Sequence, residues 1–382
     1  LIVCMWSRWG FTRRMALYVL SKVGTSVRMQ AVTWLILATS ISFVAANVVI
    51  AIALTPIVLE MLKAVGYNSP DKLLKSKSAM LIIIAVGIGA SLGGFLTPMA
   101  GGQAAITWTQ LCQTLGYTVP MAPFAGRLAL PVFLSIIPVA LLFGIFLPAD
   151  ARRFEGSEDY FREELAKMGP LSRSESWGVT IFLFAIILPF SQPLWQPAIP
   201  EGIDINPNVI FGTITCILAL IPAPDKGAKV TPFPYEKNER LLGMNSIRIL
   251  PVQAFLIWPT AMSISILVNK TGASELMVPL LGSYWNLPPY VGTGLFALFC
   301  VVLGNVASDT GAAGMLAPVV ASATVAAGEN PIPWLLMMGY TVNFSFMVPS
   351  ATGTMALPIA LGGKASWRLP VYGFFCAAVC GA

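Results

Sequence analysis

The chain has 382 residues, of which 56% are hydrophobic and only 10% are charged, and its net charge is +6. A soluble domain carries roughly 25% charged residues, so this composition argues against a soluble enzyme and predicts a polytopic helical membrane protein. The chain contains no histidine, which removes imidazole metal sites and proton relays, and its basic residues lie in short segments between apolar stretches, so we expect no nucleic-acid partner.

The predicted elements of the first half, residues 1–175, begin with an interfacial amphipathic helix. Basic and apolar residues alternate at helical spacing over Arg8–Arg28, a pattern typical of a helix that lies in the plane of the membrane surface. The elements that follow are an apolar hairpin at 30–64, a broken span at 79–116, a span at 128–147 and a second interfacial helix at 149–173.

The second half, residues 176–382, has a comparable order of elements. They are spans at 179–190, 209–221 and 249–268, a hairpin at 290–327, a broken span at 334–361 and a truncated last span at 369–382. Because the sequence opens and closes inside apolar segments, we expect it to be a fragment of a longer protein.

The distribution of Lys and Arg predicts that the first hairpin is re-entrant. Arg28 precedes this segment and Lys63 follows it, and basic flanks are expected on the cytoplasmic side. A helix over 31–62 would be about 48 Å long, which suits two half-depth helices that turn near Asn47. With a second hairpin entering from outside, all of the 23 Lys and Arg residues except Arg127 and Lys270 face the cytoplasm.

Opposite entry of the two hairpins predicts an inverted repeat. In each half a hairpin precedes a span that is broken at a sequence rich in Gly, Thr and Pro, which in the second half is residues 349–354. Ala46–Val48 in the first half corresponds to Ser308–Thr310 in the second. Inverted repeats of this kind place the solute near the middle of the membrane, among hairpin tips and broken helices.

Asp309 is the most informative residue, because it is the only acidic side chain in a long apolar stretch. A carboxylate at membrane depth is costly and by default marks a solute or ion pathway. The alternative is a structural role, in which Asp309 caps the second helix of its hairpin.

Exposed backbone groups at the tips offer carbonyl oxygens to Na+ and helix N-termini to an anion. Neutral side chains add further hydrogen-bonding groups, and no Lys or Arg is present at the tips: the side chains are Ser42, Asn47, Ser308, Thr310 and Thr352. Small polar residues also pack between transmembrane helices, so packing remains the alternative for each of them.

These segments resemble the divalent anion–sodium symporter family over nearly the whole chain. Ser308-Asp309-Thr310 and Ala46-Asn47-Val48 are similar to the Ser-Asn-Thr motif that this family carries at each hairpin tip, and Phe346–Thr352 is similar to its second Phe-Met-x-Pro-x-Ala-Thr motif. The resemblance implies an elevator-type dimer, bound to the lipid bilayer, that uses Na+ as its coupling ion and has no other cofactor.

The resemblance also implies the residues of the site. The cation positions are Ser42, Asn47 and the Ala100 carbonyl at the first tip, and Asp309 and the Ala351 carbonyl at the second. The solute positions are Asn47, Ser308, Asp309, Thr310, Thr352 and Gly353.

Departures from the family pattern keep the substrate and the coupling ion open. The first motif has lost both hydroxyls, to Ala46 and Val48, and the second has a carboxylate in place of an amide. An ionised Asp309 would repel a dicarboxylate, and it could bind Na+ more strongly or carry H+ instead.

The sequence therefore predicts a secondary transporter in the plasma membrane, the inner membrane of a bacterium. It would carry a small di- or multivalent anion, such as a dicarboxylate or sulfate, by symport with Na+ or H+. Two alternatives stay open: a cation/proton antiporter of the same superfamily that uses Asp309, and a truncated relative that does not transport.

Overall fold

The computed structural model describes residues 2–200, 205, 207–224, 239–247, 287–348, 350–355 and 368–381, with isolated positions between 263 and 284. Within these residues the chain is helical and forms no β-strand. Four helices in this part of the chain are long and apolar enough to cross a membrane: Asn47–Ala64, Met121–Phe146, Arg173–Phe190 and Pro289–Ala307. These features agree with the predicted all-α polytopic membrane protein.

The helices of the first half follow one another closely. They are α1 Ile2–Trp9, α2 Phe11–Leu20, α3 Val27–Ser42, α4 Asn47–Ala64, α5 Pro70–Lys75, α6 Lys77–Gly93, α7 Gly102–Leu115, α8 Met121–Leu141 with a π-helical turn at Leu142–Phe146, and α9 Ser157–Lys167.

The described helices of the second half are spaced more widely. They are α10 Arg173–Phe190, α11 Gln192–Trp195, α12 Pro207–Leu220, α13 Met244–Ile247, α14 Pro289–Ala307, α15 Asp309–Ala326, α16 Pro331–Val342 and α17 Arg368–Gly381. The span predicted at 249–268 and the last part of the span predicted at 334–361 lie outside the described residues, apart from isolated positions.

The first interfacial helix differs from the continuous helix predicted over Arg8–Arg28. Gly10 has a φ of 92° and separates α1 from α2, a conformation that glycine adopts without steric cost. Arg8 is fully buried, and its Nε and Nη2 atoms donate to the Glu239 carboxylate at 2.8 and 2.7 Å. This residue therefore anchors α1 in the interior instead of facing the membrane surface.

The second interfacial helix is also shorter than the predicted segment 149–173. Gly156 and Gly169, with φ angles of 80° and 63°, flank α9 on either side. Ser172 and Glu175 then form a capping box at the start of α10, in which each side chain accepts a hydrogen bond from the other residue's backbone N–H. The span predicted to begin at residue 179 thus begins at Arg173.

Both ends of the α3–α4 hairpin lie beside the same segment of chain. At the start of α3, the Val27 amide donates to the Arg152 carbonyl at 3.2 Å. Near the end of α4, the Tyr160 hydroxyl donates to the Glu60 carboxylate at 3.4 Å. Arg13 pairs with Glu60 at 2.9 Å as well. The start and the end of this hairpin are therefore on one side of the protein.

Asp150 fixes the start of α6 at this same side. Its carboxylate accepts hydrogen bonds from the Ser76 hydroxyl at 3.0 Å and from the backbone amides of Lys77 and Ser78, both at 2.9 Å. Partial burial alone would raise the pKa of Asp150, but these hydrogen bonds stabilise the ionised form and lower it to about 2. The carboxylate also compensates the unpaired N–H groups at the start of the helix.

The core of the first half is built on close contact between α3 and α6. A Cβ atom at Gly89 would lie 3.0 Å from the Leu35 Cα atom, and a Cβ atom at Gly93 would lie 2.7 Å from the Ser42 Cβ atom. Small residues at helix contacts allow backbones to approach in this way. The result is that Ser42, the last residue of α3, is held against the end of α6.

Candidate functional site

The first hairpin tip is the turn between α3 and α4, at residues 43–46. Asn47 begins α4, and its backbone amide donates to the Ala100 carbonyl at 2.8 Å. The Asn47 side-chain oxygen accepts a hydrogen bond from the Val48 amide at 2.8 Å. Ala100 lies in the non-helical stretch between α6 and α7, so the N-terminus of α4 points at the break of the adjacent span.

The second hairpin tip repeats this arrangement. Asp309 begins α15, and its backbone amide donates to the Ala351 carbonyl at 2.9 Å. Ser308 has a φ of 81°, a conformation that is costly for any residue other than glycine. Its hydroxyl accepts a hydrogen bond from the Gly311 amide at 3.2 Å and thereby caps α15. The predicted interruption at Ser308–Thr310 is thus the point at which α14 ends and α15 begins.

Each break also contacts the opposite hairpin. A Cβ atom at Gly102 would lie 2.8 Å from the Thr310 hydroxyl oxygen, and one at Gly353 would lie 3.0 Å from a Val48 methyl carbon. Four segments from distant parts of the chain therefore meet at one place. The two helices that follow the tips are both 18 residues long, and each contains a proline at its tenth position, Pro56 and Pro318.

The Asp309 carboxylate is buried at this meeting point, with only 6% of the residue exposed. One carboxylate oxygen accepts hydrogen bonds from the Thr310 amide at 2.5 Å and from the Thr310 hydroxyl at 3.0 Å. Thr352 is also buried, and its hydroxyl oxygen lies 3.2 Å from that of Thr354. Among the described residues no ion pair involves Asp309, and a buried carboxylate without a cation is energetically unfavourable.

Ser42 presents an unsatisfied hydroxyl beside the first tip. The residue is fully buried, and its Oγ atom has no hydrogen-bond partner in the described part of the chain. Buried polar atoms almost always have a partner, so an unpaired hydroxyl here is an available ligand atom. Ala100 and Ala351 add carbonyl oxygens, each of which has a second lone pair besides the one that accepts the tip amide.

Polar residues that the sequence did not single out connect the two broken spans. The Gln103 amide donates to the Asn343 side-chain oxygen at 2.5 Å, and the Asn343 amide donates to the Ser91 carbonyl at 2.9 Å. These residues join the break between α6 and α7 to the end of α16. No local motif indicates such a pairing, because its partners are separated by 240 and 252 residues.

Asn305 explains why α16 ends earlier than the break predicted at 349–354. Its side-chain amide donates to the Phe344 carbonyl at 3.2 Å, and its side-chain oxygen accepts from the Met347 amide at 2.9 Å. These bonds replace the helical partners that both backbone groups lack. The non-helical stretch therefore begins at Asn343, directly after α16.

Comparison with known proteins identifies the family. A family model described as CitMHS, citrate transporter, matches residues 1–339. The chain belongs to this citrate transporter family. The family is part of the divalent anion–sodium symporter group, so the predicted resemblance is confirmed. A transporter family also confirms that the chain is not an enzyme, and it is a secondary transporter and a multi-pass protein of the plasma membrane.

Individual relatives are more distant. The chain is 21% identical over 375 residues to the sodium-dependent dicarboxylate transporter SdcS of Staphylococcus saprophyticus, a match that covers 96% of this chain and 70% of the relative. It is 20% identical over 382 residues to the transporter of the same name in Staphylococcus aureus, with the same coverage of both chains. These identities are low, so the roles of individual residues must be argued from the geometry at the tips.

Proposed function

We propose that this member of the citrate transporter family couples the uptake of a small di- or multivalent anion, such as a dicarboxylate or sulfate, to Na+. The observation that carries the proposal is the matched pair of helix N-termini, at Asn47 and at Asp309, each directed at the carbonyl of a broken span. The relatives named as sodium-dependent dicarboxylate transporters support both the anion and the coupling ion.

The anion would be held by dipoles and neutral hydrogen-bond donors. The N-termini of α4 and α15 present backbone N–H groups and the positive ends of helix dipoles, which favour negative charge. The surrounding groups proposed to contact the anion are those of Asn47, Ser308, Asp309, Thr310, Thr352 and Gly353. None of these groups is basic, so bound cations would have to supply the positive charge.

Two cation positions follow from the oxygen atoms near the tips. At the first tip these are the Ser42 hydroxyl, the Asn47 side-chain oxygen and the Ala100 carbonyl. At the second they are the Asp309 carboxylate and the Ala351 carbonyl. Carbonyl oxygens of interrupted helices are ligands that transporters use for Na+, and the unpaired Ser42 hydroxyl gains a partner when a cation binds.

The same proposal extends to architecture. The pairs α3–α4 and α14–α15 would be re-entrant hairpins of opposite entry, in two inverted halves at residues 1–175 and 176–382. The position of both ends of α3–α4 beside Arg152 and Tyr160 supports this for the first hairpin. The hairpins and broken spans would move as one body against a scaffold, as in an elevator mechanism, within a homodimer.

A cation/proton antiporter is the second candidate, and the burial of Asp309 without a basic partner among the described residues favours it. Such a carboxylate can exchange H+ for Na+ without any anion. Reconstituted vesicles distinguish the two functions. Symport predicts that uptake of labelled dicarboxylate or sulfate increases with an inward Na+ gradient, whereas antiport predicts Na+-driven H+ movement with no added anion. Anion uptake that does not respond to a Na+ gradient at any pH would refute the symport proposal.

Asp309→Asn tests the role of the carboxylate directly. We expect the Na+ concentration for half-maximal uptake to rise more than tenfold, because a hydrogen bond or contact to a charged group contributes about 1.5–3 kcal/mol. The affinity for a dicarboxylate should increase, since the like charge is removed. Asp159→Asn, a change at an exposed position of α9, is the control. Unchanged ion coupling in D309N would show that Asp309 has only a capping role.

A further inference from the structure

Asn343 connects the two sides of the break between α6 and α7. Its side-chain oxygen accepts a hydrogen bond at 2.5 Å from the side-chain amide of Gln103, in the first turn of α7. Its own side-chain amide donates at 2.9 Å to the carbonyl of Ser91, in the last turn of α6. Asn343 itself directly follows α16, in the second half of the chain. One residue of the second half therefore bridges both ends of the first break.

The loop that this bridge closes, residues 94–101, carries the Ala100 carbonyl. The Ala100 amide donates to the Thr97 carbonyl at 3.0 Å, and the Thr97 hydroxyl donates to the carbonyl of Phe43, in the first hairpin tip, at 2.8 Å. The middle of the loop is thus held by the first tip, whereas its two ends are held together by the bridge.

The ends of the loop meet closely in the interior of the protein. A Cβ atom at Gly101 would lie 2.5 Å from the Gly94 carbonyl oxygen and 2.7 Å from the side-chain amide atoms of Gln103. Gln103 is 1% exposed and Asn343 is fully buried. Because both side chains are buried, water cannot replace the hydrogen bonds that they make, and the loss of either side chain breaks the connection between the loop ends.

We propose that Gln103 and Asn343 are positioning residues that hold the Ala100 carbonyl in place for the cation at the first tip. This inference rests on the function proposed above and adds two residues to it. Both residues act through the loop and not by binding the cation. A ligand group that is already fixed binds more tightly, because less conformational freedom is lost on binding. Without the bridge, the cation itself would have to order the loop.

The alternative is that Gln103 and Asn343 only hold α16 against α6 and α7. Hydrogen bonds between polar side chains of neighbouring helices are a common packing device in membranes. The two explanations differ in one measurable respect. A packing role lowers stability equally with and without Na+, so it leaves the Na+ concentration for half-saturation unchanged, whereas a positioning role raises that concentration.

The test is a Na+ titration of the purified chain in detergent, read as the rise in melting temperature that a bound ion produces. Q103M replaces the amide with a flexible thioether that fills similar space but cannot donate. We expect half-saturation at a Na+ concentration about fivefold higher, the loss that corresponds to one net hydrogen bond. N343L breaks the bridge from its other side and should raise the concentration by a similar factor.

Q30M is the matched control. Gln30 is also fully buried, and its side-chain amide donates to the Ser157 hydroxyl at 2.7 Å and to the Gly24 carbonyl at 2.8 Å. It lies about 18 Å along α3 from Ser42, and therefore far from the first tip. Q30M should lower the melting temperature about as much as Q103M does, but it should keep the wild-type half-saturation.

The double variant Q103M/N343L completes a double-mutant cycle. Because each single change already breaks the bridge, the double variant should reach half-saturation at no higher Na+ concentration than the more affected single variant. Additive losses, unchanged half-saturation in Q103M and N343L, or an equal shift in Q30M would overturn the positioning role.

Failure of both Q103M and N343L to fold, where Q30M folds, would show that the fold itself requires the bridge, and would also overturn the positioning role. A wild-type chain that does not respond to Na+ would instead refute the proposed function, and this inference with it.

Discussion

Gly94→Ala tests whether the Asn47 side chain is a cation ligand. Gly94 directly follows α6, with φ −68° and ψ 3°, a conformation that alanine adopts without strain. A Cβ atom at this position would lie 2.6 Å from the Asn47 amide nitrogen and 3.2 Å from its Cγ atom. The substitution therefore adds a methyl group where the Asn47 side chain now packs, and it alters no backbone preference.

The geometry sets the size of the effect. Ordinary contact with a Cβ atom begins at 3.4 Å, so the Asn47 amide must move by at least about 0.8 Å. An Asn47 side chain displaced by this amount can no longer bind the same cation as the Ala100 carbonyl. Losing one contact to a charged group costs about 1.5–3 kcal/mol. We expect the Na+ concentration for half-maximal uptake to rise at least tenfold. Stability should fall by less, because the group that moves most is the end of a side chain and the Ser91 carbonyl oxygen, 3.0 Å from such a Cβ atom, needs to shift by only a few tenths of an ångström.

The assay is Na+-dependent uptake of a labelled dicarboxylate in vesicles, together with the melting temperature of the purified protein. Gly126→Ala is the matched control: Gly126 lies within α8, and a Cβ atom there would meet nothing within 4 Å. That variant should keep wild-type Na+ dependence and equal or slightly higher stability. If G94A folds and its Na+ dependence equals that of G126A, Asn47 is not a cation ligand.

Two further predictions concern stability. Asn305→Leu should destabilise the protein by about 2–4 kcal/mol, as measured by denaturant unfolding in detergent, because the Phe344 carbonyl and the Met347 amide each lose a partner in the interior. The control Asn330→Ala removes an exposed cap and should cost only about 1 kcal/mol. A similar loss in both variants would contradict the role of Asn305. The folded-state pKa of Asp150 is lowered to about 2 from an ordinary 3.8, so the stabilising effect of its carboxylate is present above pH 3.8 and is lost as the pH falls towards 2. The difference in melting temperature between wild type and D150N should shrink over that range. A difference that stays constant would show that ionisation of Asp150 does not cause the stabilisation.

Local sequence signals were sufficient to place the hairpin tips. The apolar stretches before and after Asn47 and Asp309 predicted helices, and the polar residues between them predicted the interruptions. The structure has α4 and α15 beginning at these two residues. Such boundaries are recognisable because a small polar residue in an otherwise apolar membrane segment is energetically unfavourable unless it hydrogen-bonds exposed backbone groups or contacts a solute.

Contacts between distant residues could not be predicted in the same way. Arg8 matched the pattern of an interfacial helix, yet its partner Glu239 follows 231 residues later, and only the fold brings the two together. Asn305 is one polar residue within an apolar helix, and its hydrogen bonds to residues 344 and 347 end α16 several residues before the predicted break. Periodicity describes one element at a time, so it cannot show which polar groups on different elements form hydrogen bonds with each other.

The two tips share a backbone arrangement but differ in their side chains, which has a consequence for the order of binding under the proposed function. The backbone contacts of Asn47 with Ala100 and of Asp309 with Ala351 have nearly the same length, but only the second tip carries a carboxylate. While that carboxylate is ionised and unpaired, it repels an anion a few ångströms away in a medium of low dielectric constant. A cation bound between Asp309 and Ala351 removes this repulsion and leaves the N-termini of α4 and α15 free to attract the anion. Cation binding should therefore precede anion binding, and the requirement should be stricter at the second tip than at the first.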